Sequence, residues 1–196
     1  MTTLVGTNPL FKQSTKTGEV FATSLRQANA AQIAKASSFL KKYWGLYPQG
    51  TASLNGNVFE TLVAIAMRKK GLIPLYHQAH IAFVPNVKFD LVIYSEEFGP
   101  IVLSVKTSLR ERYKQVDLEG WVLKQVHRQA RTYLITADKP NVSLINNKIT
   151  NGEVMGIEKV VYALDGDIDN LIFELSQLTL IKPGTEDIMT AKTILT

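Results

Sequence analysis

The feature that most constrains this chain is a change of hydrophobic period in its middle. Residues 72–76, 81–84, 89–94 and 101–107 are four short runs rich in branched and aromatic side chains, parted by Pro, Asn and Gly. Such runs suit strands. They predict a small meander. On the N-terminal side, apolar residues return every three or four positions. Ile33, Ala36, Leu40 and Tyr43 share a helical face within residues 24–44, with Gly45 as a stop, and Phe59, Leu62, Val63, Ala66 and Met67 do so within 58–70, closed by Gly71. Beyond the meander the pattern predicts a helix over about 109–131, a strand at 132–136, a helix over 141–151, a strand at 160–164 and a helix over 168–178. The expected fold class is α/β (α+β), a central mixed sheet flanked by helices.

With 196 residues, no internal repeat and no Pro/Gly/Ser linker, one domain over 1–196 is expected. Its parts read as a helical N-terminal arm (1–50, of which the first 23 or so are polar and turn-rich), a core (56–136) and a C-terminal α/β extension (137–196). No role is read for the arm, nor for residues from 181 onward. The apolar share of 45% is enough for a real core, and the absence of Cys excludes a disulfide scaffold and a zinc-thiolate site. The longest apolar stretch, 62–67, is far short of the ~20 residues that cross a bilayer. The opening MTTLVGTNPLFKQS has no secretory pattern, so a cytoplasmic location is expected. The net charge is +5, and the excess is local: Lys106, Arg110, Arg112, Lys114, Lys124, Arg128 and Arg131 face only Glu111, Asp117 and Glu119 in that interval. An acidic partner would find its counter-charge there.

Asp90 opens one strand, and fourteen residues later the next strand reads LSVKTS, which brings Ser104 and Lys106 to one face. If the two strands are antiparallel neighbours, Asp90 comes close to Lys106. A carboxylate and a lysine at one sheet edge can hold a divalent metal and a phosphate oxygen together. They can equally be an exposed strand-start acid and a snorkelling lysine. Glu119 lies on the following helix and shares a face with Arg112 and Val116, from which it can turn back to the strand ends. Glu60 shares a stripe with Val63, Ala64 and Met67, where it either meets a cation or donors or reaches water from the helix flank.

Two readings also fit KTSLRERYKQ. Ser108 followed by Glu111 is a capping box. Alternatively, Arg110, Glu111 and Arg112 project into a major groove, where Arg pairs with guanine O6 and N7 and Glu accepts from a cytosine amino group.

Taken together, Glu60, Asp90, Ser104-x-Lys106, Glu119 and the Arg-acid-Arg segment resemble the PD-(D/E)XK nucleases, over roughly residues 60–136. Within them the chain is similar to the type II restriction endonucleases that read CCGG, CCWGG or CCNGG sites. There a small residue stands two before the lysine and a Glu on the next helix, thirteen or fourteen residues on, replaces the usual acid; Lys106 to Glu119 is thirteen. Phe89 departs from the Pro of the family pattern.

The resemblance implies Mg2+-dependent hydrolysis of double-stranded DNA at a short G·C-containing palindrome by a homodimer, with a possible cognate methyltransferase for the same site. Asp90 and Glu119 are the implied metal ligands, Lys106 the group that stabilises the phosphate or orients the nucleophile, Ser104 a weak contact, and Glu60 a residue acting through water or a neighbour. Arg110, Glu111, Arg112, Lys114 and Arg128 are the implied DNA contacts. The alternatives are a catalytically degenerate DNA-binding module, because Ser104 stands where an acid is usual, and a repair or junction nuclease that reads DNA shape.

Other features point elsewhere. His77 and His80 lack a third ligand and read as surface or turn residues in a strand-turn-strand segment. His127, among Lys124, Arg128 and Arg131, reads as a phosphate contact or a solvated residue. DGDIDN at 165–170 lacks the Gly and Glu of a calcium loop, so Asp167 or Asp169 is expected to cap the next helix.

Overall fold

The computed structural model describes residues 27–28, 30–47, 49–184 and 188–195. In chain order the elements are α1 (Ala36–Leu46), α2 (Ala52–Lys69), β1 (Leu75–Ile81), β2 (Phe89–Ser95), β3 (Gly99–Lys106), α3 (Arg112–Val126), β4 (Arg131–Thr136), α4 (Lys139–Thr150), β5 (Lys159–Tyr162), α5 (Gly166–Ser176) and β6 (Ile188–Leu195). The strands form one six-stranded mixed sheet in the order β5-β4-β3-β2-β1-β6. β1, β2 and β3 are antiparallel neighbours, β6 joins β1 antiparallel, and β3, β4 and β5 run parallel. Parallel neighbours need crossover connections. α3 and α4 supply them.

The two faces have separate cores. On one, Leu91, Ile93, Ile101, Leu103 and Val105 meet Phe39 and Leu40 of α1, Phe59, Leu62 and Ile65 of α2, and Ile168 and Leu171 of α5. On the other, Tyr76, Val92, Tyr94 and Val102 meet Leu123 of α3, while Leu134 and Val160 meet Val116, Val142 and Ile145. β3 alternates between them, and this alternation sends Ser104 and Lys106 to the α3 side.

α1 begins well after the expected start, because Asp169 of α5 caps it from outside. Asp169 Oδ1 accepts from the N–H groups of Ala36 (2.7 Å) and Ser37 (3.3 Å), and its other oxygen accepts from the Ser37 hydroxyl. The cap of α5 itself is Asp165, whose side chain accepts from Asp167 N, in place of the expected Asp167 or Asp169. Residues 1–26, where the polar arm and the start of the first helix were expected, lie outside the described residues. α2 starts at Ala52, because Thr51 caps it through Leu54 N, and it is buried on every side from 58 to 67.

Two further boundaries differ. Where two strands were expected, at 72–76 and 81–84, there is one, β1 (Leu75–Ile81), and its polar stretch is held by β2 on one edge and β6 on the other, with Gln78 alone left unpaired. The helix expected over 109–131 is shorter, with His127 as its C-cap; His127 contacts Ala82 O at 3.2 Å. No helix among the described residues is long and apolar enough to cross a membrane.

Candidate active site

Pairing of β2 with β3 reaches Leu91↔Leu103, which leaves Asp90 one residue beyond the last paired position. There the strands part, and the Asp90 carboxylate fills the gap. Its Oδ2 accepts from the Val105 N–H at 2.8 Å and from Lys106 Nζ at 2.7 Å. Both side chains are mostly buried, with 12% and 17% of their surfaces exposed. Burial pushes the Asp90 carboxyl above its ordinary range; Lys106 pulls it back, and the nearby Glu60 charge adds to the push. Both donors fall on Oδ2, which keeps Oδ1 for a further partner.

Glu119 approaches this pair from α3. Its carboxyl is raised by burial, with Gln115 and Lys106 pulling it down and Asp90 pushing it up, so it senses both members of the pair. Gln115 Nε2 donates to its Oε1 at 2.7 Å.

A glycine seam sets the rotation of α3. A Cβ on Gly156 would lie 1.9 Å from Asp117 O and 2.6 Å from Trp121 N, and one on Gly120 would lie 2.4 Å from Gly156 O. Asp117 Oδ1 accepts from Met155 N (2.9 Å) and Gly156 N (2.5 Å), which locks the two backbones together. Glu119 lies within this locked segment.

Glu60 is buried, with 7% of its surface exposed, and it meets donors rather than water. Its Oε1 contacts His77 Nε2 at 2.6 Å and accepts from Gln78 Nε2 at 2.6 Å. His77 is therefore a buried strand residue rather than a surface one. Gln78 has φ +53°, and no pairing runs through it on either edge of β1. Its left-handed backbone accompanies the contact with Glu60. Sequence reasoning missed both residues. The available signal was a buried acid on α2 in need of a donor.

Ser104 lies in β3, 2% exposed, two residues before Lys106 and on the same face. Arg110, Glu111 and Arg112 are all exposed just beyond β3. The expected capping box is absent: Glu111 occupies the N-cap position of α3 and makes no side-chain cap bond. Glu111 pairs instead with the exposed Lys114 at 2.5 Å. Arg128 follows α3 and lines a shallow cleft with Gly99 and Pro100, at the start of β3. Lys106 ends that eight-residue strand, about 23 Å further along at ~3.3 Å per residue, so Arg128 stands away from the other candidates. Lys124 and Arg131 are both drawn to Glu158, at 2.7 and 3.5 Å.

Among the described residues, no three His, Cys, Asp or Glu side chains form a group that could hold a metal ion by itself. Asp90 and Glu119 instead offer two partly buried carboxyls, both raised by burial, with the Glu60 charge adding to the push on Asp90 and the Asp90 charge to that on Glu119. A divalent cation would relieve both effects. Two carboxylates suit an ion such as Mg2+, which keeps several waters and takes its remaining ligands from a phosphate. The residues fit that group.

No family model and no curated protein matches the sequence. Among solved structures the chain is similar to the restriction endonuclease PspGI in its complex with substrate DNA, at a TM-score of 0.58 and 17% identity, over 90% of this chain and 86% of that one. It is also similar to the type IIP restriction endonuclease Kpn2I, at a TM-score of 0.54 and 14% identity, over 81% of this chain and 72% of that one. At these identities the likeness is one of fold, and the mixed sheet flanked by helices is that shared fold.

Proposed function

We propose that this chain is a type II restriction endonuclease of the PD-(D/E)XK superfamily, hydrolysing double-stranded DNA with Mg2+ at a short G·C-containing palindrome. The observation that carries the reading is the Asp90–Lys106 pair at the parting ends of β2 and β3, within electrostatic reach of Glu119 on α3. Asp90 Oδ2 holds Lys106 Nζ at 2.7 Å, and Glu119 senses both charges. The likeness in fold to two restriction endonucleases supports it.

Asp90 and Glu119 would hold the metal. When bound, it polarises the scissile phosphate and lowers the pKa of a coordinated water. Lys106 keeps further N–H donors beyond the one given to Asp90, and these can meet a phosphate oxygen on which charge builds as water adds to phosphorus and one P–O ester bond breaks. Glu60, fixed by His77 and Gln78, supplies negative charge behind Asp90. Arg110, Glu111 and Arg112 stand exposed beside this end of β3 and have the chemistry to read G·C pairs, with Lys114 as a phosphate contact. A homodimer would match its own twofold symmetry to that of a palindrome. A methyltransferase acting on the same site would protect the DNA that the enzyme must spare.

Ser104 favours one second reading. A buried serine replaces the usual acid two residues before Lys106, as it would in a DNA-binding module that has lost its chemistry. Incubating the protein with plasmid DNA in Mg2+ and in EDTA, followed by end-sequencing, separates the readings. Discrete Mg2+-dependent fragments sharing one motif are expected. Intact DNA with retained binding would favour the degenerate module, and fragments sharing no motif would favour a reader of DNA shape.

A further inference from the structure

The side chains of the Arg110–Glu111–Arg112 segment are held locally only at the surface, by the exposed Glu111–Lys114 pair. Glu111 does not cap α3, the three side chains are exposed, and Arg110 is held at φ +27°, in the region that disfavours side chains. Backbone of that kind persists only where the surroundings over-determine it. The constraint lies one residue earlier. Leu109 is fully buried in the cluster with Val116, Leu134, Val142 and Ile145, and its carbonyl accepts from Arg112 N at 2.6 Å. Its own N–H donates to Asp138 Oδ2 at 2.9 Å, across 29 residues of sequence.

Asp138 occupies the N-cap position of α4, where an aspartate ordinarily accepts from the first turn of its own helix. Here it makes no such cap bond. Its carboxylate is turned to Leu109 and steadied by Asn141 Nδ2, 3.0 Å from each oxygen. Its N–H donates to Thr136 Oγ1 at 3.1 Å, and Thr136 is fully buried at the end of β4, paired with Lys106. A rigid chain of contacts therefore runs from the strand that carries Lys106, through Thr136 and Asp138, to the root of the triplet.

We infer that Asp138, steadied by Asn141, is a positioning residue for sequence discrimination: through Leu109 it fixes where Arg110, Glu111 and Arg112 stand relative to Lys106. The inference rests on the endonuclease reading proposed above. Removing the carboxylate leaves the Leu109 N–H buried without its acceptor and frees the triplet to move, while Asp90, Lys106 and Glu119 keep their own contacts. Such a residue controls the choice of base pair more than the rate of hydrolysis.

The test compares wild type, Asp138→Ala, Asp138→Asn and Asn141→Ala on a duplex carrying the wild type's own cleavage site and on duplexes with one altered base pair. The readout is the ratio of single-turnover cleavage rates, with a thermal melt of each variant alongside. Asp138→Ala is expected to lower the ratio at least about tenfold, the scale of one lost bidentate base contact. Asn141→Ala should lower it less, and Asp138→Asn, which keeps an acceptor oxygen, should restore most of it. An unchanged ratio in folded Asp138→Ala and Asn141→Ala, or equal loss on every duplex, overturns the inference while leaving the endonuclease reading intact. Wild type that cleaves without site preference overturns both.

Discussion

Alanine at position 156 would have to push apart two backbones that now touch. Its Cβ would lie 1.9 Å from Asp117 O, where ordinary contact begins at 3.4 Å, so α3 and the 154–157 segment must separate by close to the 1.5 Å difference. That movement also stretches the bonds from Met155 N and Gly156 N to Asp117 Oδ1. Overpacking of this kind costs about 1–3 kcal/mol, and the weakened hydrogen bonds about 1 kcal/mol more. For a chain of this size, a loss of ~2–4 kcal/mol lowers the melting temperature by roughly 5–15 °C. Glu119 moves with α3, and a misplacement of ~1 Å costs on the order of 100-fold in rate. Gly56→Ala serves as the control, because a Cβ there, in the second turn of α2, meets nothing within 4 Å. It should be neutral or stabilise by up to about 1 kcal/mol. Thermal melts and Mg2+-dependent cleavage of both variants make the comparison. If Gly156→Ala melts and cuts like wild type, the glycine seam does not position Glu119.

Two further substitutions probe Glu119 and Glu60. Burial raises the Glu119 carboxyl, so the folded chain holds that proton more tightly than the unfolded one, and stability is lost as pH rises from the ordinary Glu range through the raised value. Glu119→Gln does not titrate, so its melting temperature should gain on wild type between pH 4 and pH 7, and a constant difference would contradict this account. His77→Phe removes one of the two donors to buried Glu60 and should cost about 3 kcal/mol in denaturant unfolding, with most of the loss recovered in the Glu60→Gln, His77→Phe double variant. Equal stability of wild type and the single variant would mean that Glu60 does not depend on His77.

The parts of the fold that were legible in the sequence are those with a single strong period. β3 carries an unbroken apolar pattern, α2 an apolar face from Val58 onward though its polar first turns from Ala52 read as a turn, and β2 begins within a residue of its marker, Asp90. The positions of Asp90 and Lys106 followed from strand alternation and antiparallel pairing, which are local rules. What escaped depends on partners distant in sequence. β1 contains His77, Gln78 and His80, whose polarity reads as a turn until Glu60 and the neighbours β2 and β6 are in place. The capping box at Ser108 and Glu111 is locally sound but gives way to an acceptor from the start of α4. α1 takes its cap from Asp169 in the same way. Gly120 and Gly156 look unremarkable in sequence, because the need for glycine arises only where two backbones meet.

The central claim is that Asp90, Lys106 and Glu119 form one metal-dependent site. The most direct measurement is cleavage of plasmid DNA by wild type, Asp90→Ala, Lys106→Ala and Glu119→Ala in Mg2+ and in EDTA, with DNA binding measured on the same preparations. The account predicts fragments from wild type in Mg2+ alone, no cutting by Asp90→Ala or Lys106→Ala, a loss in Glu119→Ala nearly as severe, and binding largely kept by all three. Cleavage by Asp90→Ala or Lys106→Ala, or full activity of Glu119→Ala, would contradict it.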